Sequence, residues 1–204
     1  MRVVVATGNA GKLAEIRHAL AGQPLELVAQ RDLGIADADE TGLTFVENAI
    51  LKARHAARLT GLPALADDSG LVVDALGGRP GLHSACYAGR HGDHAANIAR
   101  VLSELDGVPP ERRAAHFVAV VVWLRAADDP DPLIAEGRWH GTILEAPRGA
   151  GGFGYDPVFL DPALGRTAAE LDLEAKRLVS HRGRALAALA SRWPATTNAP
   201  AGSR

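Results

Sequence analysis

Arg2-Val3-Val4-Val5-Ala6, then Thr7-Gly8-Asn9-Ala10-Gly11-Lys12, then Leu13, Ile16, Ala19 and Leu20 at helical spacing form the stretch that decides the fold class. The β-branched run reads as a buried strand, and the periodic residues after Lys12 as a helix that Gly22 and Pro24 end. A buried strand passing through a glycine-bearing loop into a helix marks an α/β chain. Residues 25–29 supply the next strand, and a polar stretch follows over residues 32–42. Thr44-Phe45-Val46-Glu47 is a capping box opening a second helix, with Val46, Ile50, Ala53 and Ala57 on one face until Gly61 and Pro63. A strand is expected over residues 63–73, interrupted by Asp67-Asp68-Ser69-Gly70, and a helix over residues 95–105. Residues 116–124 suit a central strand, residues 133–144 a weaker pair of strands, and residues 149–157 a glycine-rich loop. Residues 172–179 and 180–193 read as two helical segments with Ser180 as an N-cap between them. No repeat or long linker divides residues 1–193, which read as one α/β domain with two lobes around a cleft. Residues 194–204 hold no large apolar side chain and read as a disordered tail.

The chain has 204 residues, 47% hydrophobic and 23% charged, an ordinary globular composition. Its net charge of -2 argues against a protein that coats nucleic acid or an anionic membrane, so an anionic ligand has to be caught locally. The single cysteine, Cys86, forms no internal disulfide, the first apolar run reaches Gly8-Asn9 too soon for a signal peptide, and no run spans a membrane. A cytoplasmic protein is the expectation. Of the 22 basic residues only Lys12, Lys52 and Lys176 are lysine. Where lysine persists against such an arginine bias, a compact point charge is required that a guanidinium fork cannot imitate, unless the sites are indifferent surface positions.

Residues 7–12 sit where a strand hands over to a helix, so backbone N–H groups and the helix dipole can receive an anion, with Lys12 adding charge. A phosphate-binding loop and a plain strand-to-helix turn both satisfy these residues. The loop is not a Walker A motif, because Leu13 stands where Ser or Thr would bind magnesium. Asp67 and Asp68 lie between apolar flanks that bury them, and buried acids need partners, for which Mg2+ is suited because it takes few protein carboxylates and bridges to phosphate. Strand alternation points the two side chains to opposite faces, so one of them at most is the main catalytic group. Glu40 is a candidate second metal ligand, locally indistinguishable from solvated surface, whereas Glu47 is explained by capping. Gly149-Ala150-Gly151-Gly152-Phe153-Gly154 matches a dinucleotide fingerprint in spelling only, since Tyr155-Asp156-Pro157 follows instead of a helix. The loop either offers Phe153, Tyr155 and Asp156 to a flat ligand or closes a hairpin with core aromatics. Lys176, Ser180, His181 and Arg182 bring cations to the last helix, as a solvated helix face also would. His83, His91 and His94 form no recognisable zinc pattern.

Taken in order, residues 7–12, Glu40-Thr41-Gly42 with residues 43–49, Lys52-Ala53, Asp67-Asp68-Ser69-Gly70, residues 152–157 and Ser180-His181-Arg182 resemble the inosine triphosphate pyrophosphatase family, in its bacterial dITP/XTP branch. The resemblance runs from Arg2 to about Trp193. It implies an elongated α/β fold with a central mixed sheet flanked by helices, a homodimer, a Mg2+ requirement, and cleavage of a purine nucleoside triphosphate to the monophosphate and pyrophosphate. Position by position, it implies that Thr7, Gly8, Asn9, Ala10, Gly11 and Lys12 hold the phosphates with Lys52 close by. Asp68 would orient or deprotonate water, Glu40 and Asp68 would contact the metal, and Ser69 would touch substrate. Phe153, Gly154, Tyr155 and Asp156 would embrace the base, with Lys176, His181 and Arg182 completing the pocket. Bacterial relatives commonly read Ser-Ala-Arg-Tyr where this chain has Ser84-Ala85-Cys86-Tyr87, which bears on a rim contact only. Two other classes remain at this point, a nucleotide-binding regulator without turnover and a pyrophosphatase of modified pyrimidine nucleotides.

Overall fold

The computed structural model describes residues 1–193, so the tail expected over residues 194–204 lies outside the described residues. Strands β1 (Arg2–Ala6), β2 (Glu26–Ala29), β3 (Ala64–Val73), β4 (Ala114–Leu124), β5 (Leu133–Ile143), β6 (Phe159–Asp161) and β7 (Arg166–Thr167) form one mixed sheet in the order β2-β1-β3-β4-β5-β6-β7. Five helices flank it: α1 (Ala10–Ala19), α2 (Phe45–Thr60), α3 (His94–Glu104), α4 (Leu173–Val179) and α5 (His181–Ser191). β1 is parallel to both β2 and β3, and every later pairing is antiparallel. The expected α/β architecture with a mixed sheet is what the chain adopts.

The order β2-β1-β3 means that the chain leaves β1 in one direction and returns on its other side. α1 accordingly packs on one face of the sheet, where Leu13, Ile16 and Leu20 meet Val3, Val5, Leu65 and Val121. α2 packs on the opposite face, where Ala49, Ala53, Ala56 and Ala57 meet Val4, Ala66, Val120 and Val122. Such a reversal opens a crevice beyond the carboxyl ends of the two parallel strands. β1 stops at Ala6, paired with Ala66, while β3 continues through Asp67 and Asp68, so the loop that follows β1 lies beside these carboxylates. A third core, built on Leu71, Val73, Phe117, Trp139 and Phe159, covers the far ends of the long strands. The carboxylates therefore sit where β3 passes from one core to the next.

Two elements differ from the reading of the sequence. β3 is not interrupted at residues 67–70, which pair in register with Val121, Val120, Ala119 and Val118 of β4. Partners from α1, α2 and α5 satisfy the polar side chains there, so backbone pairing has no reason to break. The stretch expected as a weak pair over residues 133–144 is one long strand, Leu133–Ile143. Gly137 and Gly141 look like breakers, yet each allows another backbone to approach. A Cβ on Gly137 would fall 2.1 Å from the His181 carbonyl oxygen at the start of α5, and one on Gly141 would fall 2.5 Å from the Leu160 carbonyl oxygen.

Candidate active site

The crevice holds two adjoining cavities that share Asn9, Lys12, Ser69 and Ala85. The larger, of about 550 Å³, is walled by Thr7, Gly8, Glu40, Lys52 and Asp68. The narrower, of about 80 Å³, is walled by Phe153, Gly154, Tyr155, Asp156, Lys176, His181 and Arg182. Residues that the sequence groups by phosphate chemistry and by flat-ligand chemistry thus divide between two connected spaces. Ala10 lines neither cavity and serves as the first residue of α1.

Asn9 caps α1, its side chain accepting from the Lys12 backbone N–H at 3.0 Å, and Thr7 Oγ1 accepts from the Asn9 N–H at 3.2 Å. These bonds fix the loop so that the helix dipole and Lys12 point into the shared part of the crevice. Gly11 lets the loop lie against the aromatic wall, for a Cβ there would fall 2.4 Å from the Phe153 ring. Asp37, absent from the reading of the sequence, lies against Gly8 in the same way and bonds the buried Gln30 side chain.

Alternation along β3 sends its two carboxylates to different partners. Asp67 turns toward α1 and α5, where Lys12 Nζ lies 2.8 Å from its Oδ1 and Arg182 Nε lies 3.0 Å from its Oδ2. Arg182 Nη2 and Ser69 Oγ donate to Oδ1 as well, at 3.2 and 3.0 Å. Burial opposes the Asp67 charge, but Arg182 and Lys12 hold this carboxyl far below the ordinary range. Asp68 turns toward α2 and the larger cavity, and its Oδ1 accepts from Lys52 Nζ at 2.6 Å. Burial raises the Asp68 pKa above the ordinary carboxylate value against the pull of Lys52 and Lys12. Lys52 also donates to Glu40 at 3.2 Å. Burial works against its charge, but the two carboxylates more than offset that and raise its pKa. Lys12, by contrast, is lowered, burial and the nearby Lys52 and Arg182 outweighing Asp67.

The narrower cavity rests on a chain of buried charges that sequence reading missed at its centre. Glu15, on the polar side of α1, accepts from Lys176 at 2.7 Å through one oxygen and from Arg182 through the other. Lys176 continues to Asp156, which accepts from the Phe153 N–H at 2.9 Å and so ties the aromatic loop to α4. Asp156 lines the narrower cavity but is buried, with Lys176 and the Phe153 N–H on its Oδ2, and burial raises its pKa although Lys176 opposes it. Tyr155 is likewise a core residue whose hydroxyl donates to the Ser84 carbonyl at 2.9 Å. Phe153 faces the space, with Lys176 Nζ 4.9 Å and Arg182 Cζ 5.7 Å from its centroid. Arg182 spends four of its five N–H donors on Asp67, Ser69 and Glu15, leaving one at Nη1. His181 stacks on Phe117 at 4.7 Å with its buried Nδ1 unpartnered among the described residues. Burial, reinforced by Arg182, lowers its pKa well below the ordinary value and keeps the ring neutral. Cys86 is half-buried on the wall of the larger cavity beside His83 and His91.

The family model that describes the Ham1 family matches residues 3–192. This chain belongs to the Ham1 family. A protein named dITP/XTP pyrophosphatase in Xanthomonas oryzae pv. oryzae is 63% identical over 187 residues, covering 92% of this chain and 94% of that one. One of the same name in Yersinia pseudotuberculosis is 58% identical over 185 residues, covering 91% and 94%. Among solved structures, a HAM1 protein from Coxiella burnetii superposes with a TM-score of 0.85 at 47% identity, covering 94% of this chain and 98% of that one. The Ham1 membership agrees with the resemblance read from residues 7–12 through Arg182, and the Ham1 fold accounts for the open sheet. No helix among the described residues is long and apolar enough to cross a membrane.

Lys12 tests the lysine argument directly. Its compact ammonium fits between Asp67 and the cavity, and a planar fork there meets the Arg182 guanidinium. Lys12→Arg is expected to lower turnover about ten-fold or more, the scale of one charge-assisted hydrogen bond. Arg17→Lys, on the exposed side of the same helix, leaves turnover unchanged. Equal tolerance of the two swaps in a steady-state assay refutes the argument.

Proposed function

We propose that this protein hydrolyses deaminated purine nucleoside triphosphates (ITP, dITP, XTP and dXTP) to the monophosphate and pyrophosphate, removing them from the nucleotide pool. The observation that carries this reading is the pair of adjoining cavities in a Ham1 chain, one lined by lysines and carboxylates, the other by an aromatic ring and a neutral histidine. Relatives at 58–63% identity bear the name dITP/XTP pyrophosphatase, which supports the same reading.

In this mechanism the triphosphate lies in the larger cavity against residues 7–12, with Lys12 and Lys52 on its oxygens. Asp68 takes the proton of the attacking water. Glu40 and Asp68 are suited to a divalent cation, since their oxygens already converge on one positive group, the Lys52 ammonium. Both are hard oxygen donors, and magnesium takes one or two carboxylates with phosphate oxygens completing its shell. When bound, Mg2+ would neutralise charge on the phosphates. Ser69, at the junction of the cavities, contacts the sugar-phosphate end, and Phe153 stacks on the base. The remaining N–H of Arg182 and the neutral ring of His181 face the 6-position. A 6-oxo group accepts from such donors, whereas the 6-amino group of adenine leaves them unpaired in a buried site. We assign the working state as a cytoplasmic homodimer on the family resemblance.

A pyrophosphate-release assay across the common and deaminated triphosphates, with and without Mg2+, tests the proposal. High activity on ITP, dITP and XTP and very low activity on ATP and dATP is expected, with weaker discrimination against GTP, which shares the 6-oxo group. ATP turned over as well as ITP overturns the base assignment, and binding without pyrophosphate release makes the protein a sensor.

A further inference from the structure

The narrower cavity has on its wall one more ring, His94, that none of the assignments above uses. His94 is the first residue of α3, half-buried, and its imidazole centroid lies 6.4 Å from that of Phe153 with the planes 49° apart. Both rings are held by fixed elements. Phe153 is anchored through its N–H to Asp156 and packed flush on Gly11. The start of α3 is capped by Asp93, which accepts from the Ala96 N–H at 3.1 Å. One turn on, the buried Asn97 amide bonds Ala85 O at 3.1 Å and the Ala88 N–H at 2.7 Å, joining α3 to the loop that walls both cavities. A flat heteroaromatic ring between two others needs about 7 Å, two contacts of about 3.5 Å each. The observed centroid separation of 6.4 Å falls short of that and the planes are tilted, so a base enters between the rings when the imidazole swings outward and turns parallel to Phe153.

We infer that His94 is a further substrate-binding residue, the second face of a clamp that holds the purine ring against Phe153. The inference rests on the proposed hydrolysis of purine triphosphates and adds a residue to it. Stacking acts on the π-face of any purine and ignores the 6-substituent, so His94 sets how tightly purines bind, while His181 and Arg182 set which purine is preferred. The position tolerates any flat aromatic ring.

The test compares the unmodified protein with His94→Ala and His94→Phe in steady-state pyrophosphate release from ITP, GTP and ATP, alongside thermal unfolding. His94→Ala is expected to raise KM for ITP about ten-fold or more, the scale of one lost base–aromatic stack. Its kcat, unfolding temperature and ratio of ITP to ATP activity stay unchanged. His94→Phe restores KM to near the original value. An unchanged KM in His94→Ala overturns the inference, as does a His94→Phe variant as impaired as His94→Ala, or a shift in the ITP-to-ATP ratio, which makes His94 a hydrogen-bonding residue instead. Failure of the unmodified protein to release pyrophosphate from ITP removes the functional reading itself, a result separable from any behaviour of the variants.

Discussion

Asp68→Asn is expected to cost ~10²-fold or more in turnover, the range of a positioned general base, with little change in the fold. The choice of Asp68 over its neighbour follows from what each carboxylate has left to offer. Asp67 accepts four bonds from Lys12, Arg182 and Ser69, lines neither cavity, and is held ionised by its cations, which makes it a weak proton acceptor. Asp68 commits Oδ1 to Lys52, leaves Oδ2 unengaged among the described residues, and faces the larger cavity with a pKa raised by burial. A base whose pKa moves up toward the working pH transfers protons more effectively. The asparagine keeps the size and still faces Lys52, which retains Glu40 as a partner. Pyrophosphate release from ITP in saturating Mg2+, with circular dichroism to verify the fold, reads the effect. Near-normal turnover in this variant removes Asp68 from the centre of the chemistry.

How much of this was legible in the sequence depends on the range of the interaction each residue makes. The β1-loop-α1 unit is encoded locally and was readable from a β-branched run and a helical period, while the Asn9 cap emerged only with the structure. The opposite orientation of Asp67 and Asp68 follows from strand geometry alone, and the division of their partners between α5 and α2 obeys it. Glu15 was not legible. On a helix wheel it is one more polar residue, and its role exists only because Lys176 and Arg182 arrive more than 150 residues later in the chain. The ion pair of Asp156 was not legible for the same reason. Lys176, the cation that bonds its Oδ2, comes from a separate helix. The unbroken β5 was not legible either, because at Gly137 and Gly141 a breaker and a site of close approach have the same spelling, and the backbone that approaches is encoded elsewhere.

Asp67→Asn is expected to destabilise the protein by ~3–5 kcal/mol, because it leaves a buried cation without its counter-charge. Asp67 sits at the junction of three elements and accepts both bonds, from Arg182 Nε and Nη2, that tie α5 to it on β3. Arg182 is 2% exposed and cannot turn to water when its carboxylate is lost, although Glu15 retains part of its charge compensation. For a domain of this size that loss corresponds to a fall of ~10 °C in the unfolding temperature. The pH dependence separates this cause from a packing defect. The folded-state pKa of Asp67 lies below its unfolded value, so its contribution is fully present above the unfolded carboxylate pKa of about 3.9 and is lost as pH falls toward the folded value. The stability gap between the parent and Asp67→Asn should therefore be constant from pH 8 to pH 5 and narrow only below about pH 4. Thermal unfolding of both proteins across that range measures it. A gap that stays open at the acid end is the mark of a shape defect, and a gap that closes between pH 8 and pH 6 assigns the stabilisation to another titrating group.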